Sequence, residues 1–153
     1  MAKFQTKFKT AEMSPGFLLW KVSNLHQRLQ RKALADLDLT PSQFSILACY
    51  FFLSEKMNLV TQADVCRHAS IDKMLISDLT KTLIKKHYLK KTLNKEDRRS
   101  QAIQLAELGA KRCNDALKII EELDSKFFTT TRGSKVLMEI LSELTKNEES
   151  ILG

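Results

Sequence analysis

The sequence predicts a mainly α-helical chain of the α+β class, with one two-stranded hairpin set between helices. Three observations lead there. Only 4 glycines and 2 prolines punctuate 153 residues, which favours long helices over turn-rich β architecture. Apolar residues recur at spacings of three and four through most of the chain. That rhythm changes to alternation at one place, around residues 89–105, on either side of a run of charged residues. With 43% hydrophobic and 28% charged residues, the chain has the composition of a globular domain rather than of a disordered one.

The elements follow in order. Residues 1–13 begin "MAKFQTKFKT", basic but too short and polar for a secretory signal, and read as a flexible arm. Ser14 and Pro15 are an N-cap and a first-turn proline, and Leu18, Val22, Leu25, Leu29 and Ala33 then mark one face of a helix. Its other face carries Lys21, Arg28, Arg31 and Lys32. A second helix opens at Thr40-Pro41-Ser42-Gln43, a capping box, with Phe44, Leu47, Ala48 and Phe51 as its buried stripe. Thr61 caps a third, short helix with Ala63, Val65, Cys66 and Ala69 facing inward. After a break at Ser70-Ile71, Asp72 caps a fourth, whose stripe is Leu75/Ile76, Leu79 and Leu83. Helix, short turn, helix is the geometry of a helix-turn-helix.

The alternating segment follows directly. Leu89 and Leu93 share a face of one strand, Ile103 and Leu105 a face of the next, and the charged run Lys95–Arg99 joins them. Helical spacing returns at Glu107 with Cys113, Leu117, Ile120, Leu123 and Phe127. "TTTRGS" interrupts it, and a last helix from about Ser134 carries Leu137, Ile140, Leu141, Leu144 and, further on, Ile151. The outer helices are amphipathic and distant in sequence, so they pack together around the centre or against a second copy.

Net charge is +7 and unevenly spread. Residues 61–105 hold ten Lys/Arg against five acids, whereas residues 106–153 hold seven against nine. A basic centre beside a mildly acidic end points to a polyanionic partner. A helix fits the ~12 Å major groove of DNA, and a cation-tipped hairpin reaches the neighbouring minor groove. On the fourth helix the polar side offers Lys73, Met74, Ser77, Asp78, Lys81 and Lys85, the first-turn residues as base readers and the later lysines on phosphate. The hairpin tip offers Lys95, Arg98 and Arg99, with Asp97 pairing one arginine to hold the tip's shape.

Other chemistry finds little support. A charged hairpin tip taken alone is usually a solvated turn, and only its place after a helix-turn-helix favours DNA contact. His26, His68 and His87 are too scattered for a metal site, and His87 reads as a cation at a helix C-terminus. Cys49, Cys66 and Cys113 form no CxxC, and their apolar settings suit small buried hydrophobes in a reducing cytosol better than redox sensors. Trp20, Phe51 and Phe52 are most simply packing residues. No HExxH, G-x-S-x-G, phosphate loop or triad is present to carry an enzyme, and no apolar run reaches the ~18 residues of a membrane span. No cofactor is expected.

Over about residues 15–150 the sequence resembles the MarR family of winged helix-turn-helix transcriptional regulators. The resemblance rests on Asp97-Arg98-Arg99 followed by Leu105-Ala106 and Gly109, on Leu39-Thr40-Pro41-Ser42-Gln43-Phe44, and on "IDKMLISDLTKTLIKKHYL". The chain departs from the family at His87, where glycine is usual, at Met74 and Leu75, often serine or threonine, at Asp78, often arginine, and at Ala106, where a hydroxyl residue is usual.

That resemblance implies a winged helix-turn-helix over residues 37–106 with a two-stranded β-wing, flanked by N-terminal (14–36) and C-terminal (107–153) dimerisation helices. It implies a cytoplasmic homodimer held by residues such as Leu18, Val22, Leu137, Ile140, Leu141 and Leu144. The dimer would bind a pseudo-palindromic operator in double-stranded DNA, as a repressor relieved by a small molecule or an oxidant. By the same analogy an effector pocket is expected near Leu19, Leu25, His26, Tyr50 and Phe51. Two alternatives stay open at this level: a non-specific architectural DNA-binding protein, and a winged-helix module that binds protein.

Overall fold

The computed structural model describes residues 3–92, 102–129 and 133–146. Six helices surround a small antiparallel sheet: α1 Pro15–Ala33, α2 Pro41–Ser54, β1 Val60–Thr61, α3 Gln62–Ala69, α4 Lys73–Lys85, β2 Leu89–Thr92, β3 Ala102–Leu105, α5 Glu107–Thr129 and α6 Ser134–Lys146. Two single 3-10 turns, Ala11–Met13 and Ala35–Leu37, flank α1.

The helix starts follow from local chemistry. The Ser14 hydroxyl accepts from the Phe17 N–H, and the Asp72 carboxylate accepts from the Leu75 N–H at 2.9 Å. Thr40 and Gln43 form a reciprocal capping box, and Thr61 and Asp64 form a second at the start of α3. Each cap satisfies backbone donors that a helix cannot pair internally and contributes about 1 kcal/mol. Partial burial pushes the Asp64 carboxyl upward, but hydrogen bonds from Thr61 and the Arg67 guanidinium outweigh it, and the group lies below its ordinary 3.8.

The core is built around α2. Phe44, Ile46, Leu47, Tyr50 and Leu53 are all buried, so α2 is covered on most sides rather than along the single stripe that its spacing suggests. It meets Leu34 and Leu39 below α1, Val60 and Val65 of β1 and α3, Ile76 and Leu83 of α4, and Cys113, Ala116 and Ile120 of α5. The Tyr50 hydroxyl and the Thr80 hydroxyl hydrogen-bond at 3.0 Å inside this core, and burial pushes the phenol up to about 12. Thr80→Val removes one partner and strands the other, so urea denaturation should show a loss of about 1–3 kcal/mol. Adding Tyr50→Phe should recover part of that loss, whereas strictly additive losses would mean the two hydroxyls are not coupled.

The sheet has three strands in the order β1-β3-β2, against the two expected. Val60 pairs with Ile103 and Thr61 with Ala102, and β2 pairs with β3 from Leu89↔Leu105 to Thr92↔Ala102. A two-residue strand is too short to show alternation, which is why β1 escapes the sequence. Ile103 and Leu105 share a face of β3, as expected, and the register brings Leu89 onto that same face, with Leu89 and Ile103 buried in the core; Leu93 lies outside the described residues.

Some inward assignments fail. Ala63 is exposed, because α3 turns Val65 to the core and Ala63 falls off that face. Leu75 and Leu117 are also exposed: α4 buries Ile76, Thr80 and Leu83, and α5 buries Gly109, Cys113, Ala116 and Ile120.

Three non-glycine residues, Asp38, Ser70 and His87, have left-handed backbone, with φ of 51°, 50° and 60°. Ser70 makes the turn of the helix-turn-helix without glycine. At His87 the Tyr88 N–H reaches the Leu83 carbonyl (3.0 Å) and the His87 N–H the Ile84 carbonyl (2.9 Å), a Schellman end to α4. A side chain costs about 1 kcal/mol in such a position, and the hydrogen bonds hold it there.

Candidate nucleic-acid interface

The α3–turn–α4 unit has the geometry the sequence suggests: eight residues of helix, a turn at Ser70-Ile71-Asp72, and thirteen residues of helix. With Ile76, Thr80 and Leu83 anchored in the core, α4 turns Lys73, Met74, Asp78, Lys81 and Lys85 to solvent, while Ser77 is half-buried at the edge of that face. Met74 is 77% exposed, a large apolar side chain held out in water at the start of the helix. The Asp78 carboxylate and the Lys81 ammonium sit 3.6 Å apart across one turn.

One lysine of this segment does not join that face. The Lys86 Nζ donates to the Asp38 carbonyl (2.6 Å) and to Gln43 Oε1 (3.1 Å), and lies 3.1 Å from the Asp38 carboxylate. It pins the end of α4 to the start of α2. Nothing local in the sequence distinguishes Lys86 from Lys85, since its partners lie more than 40 residues away.

The hairpin leaves the end of α4 through β2 and returns through β3, and Lys90 and Lys91 are exposed at its base. The tip residues Lys95, Asp97, Arg98 and Arg99 lie outside the described residues. Gly109 fixes how α5 meets this unit. A Cβ on Gly109 would overlap the Tyr88 carbonyl, and the Ala106 N–H donates to that same carbonyl at 3.0 Å.

Away from this face the outer helices are uncovered. Within one chain neither α1 nor α6 contains a buried residue. Leu18, Val22, Ile140, Leu141 and Leu144 are exposed, and Leu137 is half-buried. His26 Nε2 meets the Asp124 carboxylate at 2.7 Å and joins α1 to α5, its ring against those of Phe127 and Phe128.

The five residues expected to line one effector pocket do not come together. Tyr50 is in the core and bonded to Thr80, and Leu19 is exposed. His26 borders a cavity of about 340 Å³ between α1, α2 and α4, with Ile46, Ile71, Leu75 and Leu79. Leu25 borders another between α1, α5 and α6, and Phe51 a third between α2 and α5. Tyr50 and Phe51 point to different sides of α2, which is covered on most but not all sides.

Burial pushes the Cys113 thiol up to about 11, with Cys49 adding to it, and pushes Cys49 up as well. Among the described residues no three metal-ligating side chains group together, and no helix is long and apolar enough to cross a membrane.

Comparison with known proteins agrees with this architecture. Residues 39–109 match the model of a winged helix DNA-binding domain. The chain is 33% identical over 146 residues to the uncharacterized HTH-type transcriptional regulator YdcH of Bacillus subtilis (strain 168), covering 95% of this chain and 99% of that protein. This chain belongs to the winged helix HTH-type transcriptional regulators. Its fold is that of the MarR proteins. A MarR mutant from E. coli complexed with operator DNA superposes with a TM-score of 0.75 at 22% identity, over 92% of this chain and 98% of that one. Bordetella bronchiseptica BpsR, whose DNA binding is regulated by 6-hydroxynicotinic acid, superposes with a TM-score of 0.79 at 18% identity, over 93% and 99%. The winged helix of this regulator, residues 39–109, is therefore a DNA-binding domain.

Proposed function

We propose that this regulator is a cytoplasmic homodimer that binds a pseudo-palindromic operator and represses transcription until a small molecule releases it. The observation that carries the reading is the pairing of two surfaces: an α4 face of Lys73, Met74, Ser77, Asp78, Lys81 and Lys85, and apolar faces on α1 and α6 that one chain leaves uncovered. Two copies joined through Leu18, Val22, Leu137, Ile140, Leu141 and Leu144 would present two α4 helices to successive major grooves. Lys73, in the first turn, then faces the base edges and Lys85 neutralises phosphate, while Lys95 and one of Arg98 and Arg99 reach the minor groove and the other arginine pairs with Asp97.

A small molecule is favoured over an oxidant as the signal. An oxidant sensor needs an exposed thiolate; burial pushes Cys49 and Cys113 the other way, and the Cys66 thiol is itself half-buried against the core. The cavity bordered by His26, Leu75 and Leu79 touches α4 itself, so a ligand there would act on the DNA-reading helix directly.

Selection of bound duplexes from a random pool, with sedimentation equilibrium on the free protein, tests the proposal. A twofold-symmetric motif and a dimer at micromolar concentration are expected. Binding without a motif would indicate an architectural protein, and no duplex binding at all would indicate a protein-binding module.

A further inference from the structure

The exposed face of α4 carries a carboxylate, which is unfavourable next to a phosphate backbone. Asp78 is exposed, lies one turn from Met74, and is bracketed by Lys73, Lys81 and Lys85. Within its helix it makes one ion pair, to Lys81 at 3.6 Å, and both side chains are about two-thirds exposed. An exposed pair of this kind contributes little to helix stability. What it does do is place one acceptor and one donor side by side on the face turned to solvent.

Resting on the reading of α4 as the DNA-reading helix, we propose that Asp78 and Lys81 together read a C·G base pair in each half-site. In the major groove cytosine presents only a donor, its N4 amino group, and guanine presents the acceptors O6 and N7. A carboxylate beside an ammonium is the complement of that edge. Asp78 accepts from cytosine N4, and Lys81 donates to guanine. The other pairs fit worse. Thymine and guanine put acceptors against the carboxylate, and adenine, with an N7 acceptor beside its amino group, is the nearest competitor, so selection of A·T at that position would also overturn the assignment. Lys81 is thereby taken out of the set of phosphate contacts, and Asp78 is kept away from phosphate by pointing at the groove floor. Met74, one turn earlier on the same face, supplies an apolar contact suited to a thymine methyl at a neighbouring step.

The test is random-duplex selection run in parallel on the wild type and on Asp78→Ala, followed by affinity measurements on the selected duplex and on its C·G→T·A variant. The wild type should select C·G at one symmetric pair of positions and prefer it over T·A by about tenfold or more. Asp78→Ala should lose that preference, gain affinity for the T·A duplex, and keep the rest of the motif. Unchanged melting temperature and sedimentation of the variant would show that the shift is not a folding effect. The same motif from both proteins would overturn the inference, as would a wild-type motif without a C·G position that depends on Asp78. A wild type that selects no motif would instead remove the reading of α4 on which the inference rests.

Discussion

Leu141→Glu is expected to convert a dimer into a monomer and to weaken operator binding by roughly 10²–10⁴-fold through loss of the second half-site. Along α6, Leu137, Ile140, Leu141 and Leu144 recur at spacings of three and four, which puts them on one face. Within one chain none of them is buried. Leaving that face and the apolar residues of α1 in water forgoes about 25 cal/mol for each Å² that a partner could cover. A glutamate at its centre would bring an unpaired charge into the interface, a cost of several kcal/mol. The substitution should leave the winged helix folded, because α6 contributes nothing to the core around α2. Sedimentation velocity beside circular dichroism checks both halves. A variant that stays dimeric and binds normally would show that α6 is not the contact.

Gly109→Ala is expected to damage the fold itself. The helix α5 approaches the end of α4 so closely at this residue that a methyl group would overlap the backbone carbonyl of Tyr88. The obstacle is main chain, so no side-chain rotation relieves it. Relief requires α5 to move away from the Tyr88 carbonyl, at the cost of the hydrogen bond from Ala106 and of the packing of Cys113 and Ala116 beneath. Overpacking of this kind costs 1–3 kcal/mol and more where backbone must shift, so about 3 kcal/mol or more is expected in urea denaturation. DNA affinity should fall with stability, because α5 and the hairpin both start from the same carbonyl region. A change under about 1 kcal/mol would mean that the close approach is not maintained in solution.

The elements whose information is local were legible. The capping box at Thr40 and Gln43, the caps at Ser14, Thr61 and Asp72, and the spacing of Ile76 and Leu83 each need only a few neighbouring residues, and all appear where expected. The exposed face of α4 follows from the same periodicity. What stayed hidden depends on distant partners. The Thr80 hydroxyl finds Tyr50 from 30 residues away, and Lys86 finds Asp38 from 48. Tyr50 entered the expected effector pocket only by family analogy, and its sequence neighbours give no sign of the Thr80 hydroxyl that it bonds in the core. The strand β1 exists only because β3 pairs with it. Gly109 could be seen in the sequence as part of a motif, but its reason is the Tyr88 carbonyl.

This regulator is expected to distinguish one duplex from another by the α4 face while gaining most of its affinity from phosphate. Equilibrium titration of a selected duplex and a scrambled one, across about 50–200 mM salt, tests both parts at once. Affinity for each should fall steeply with salt, by a log–log slope near −0.9 per phosphate neutralised, and the selected duplex should stay tighter by about 10³-fold or more. Equal affinity for the two duplexes, or binding that salt does not weaken, would contradict it.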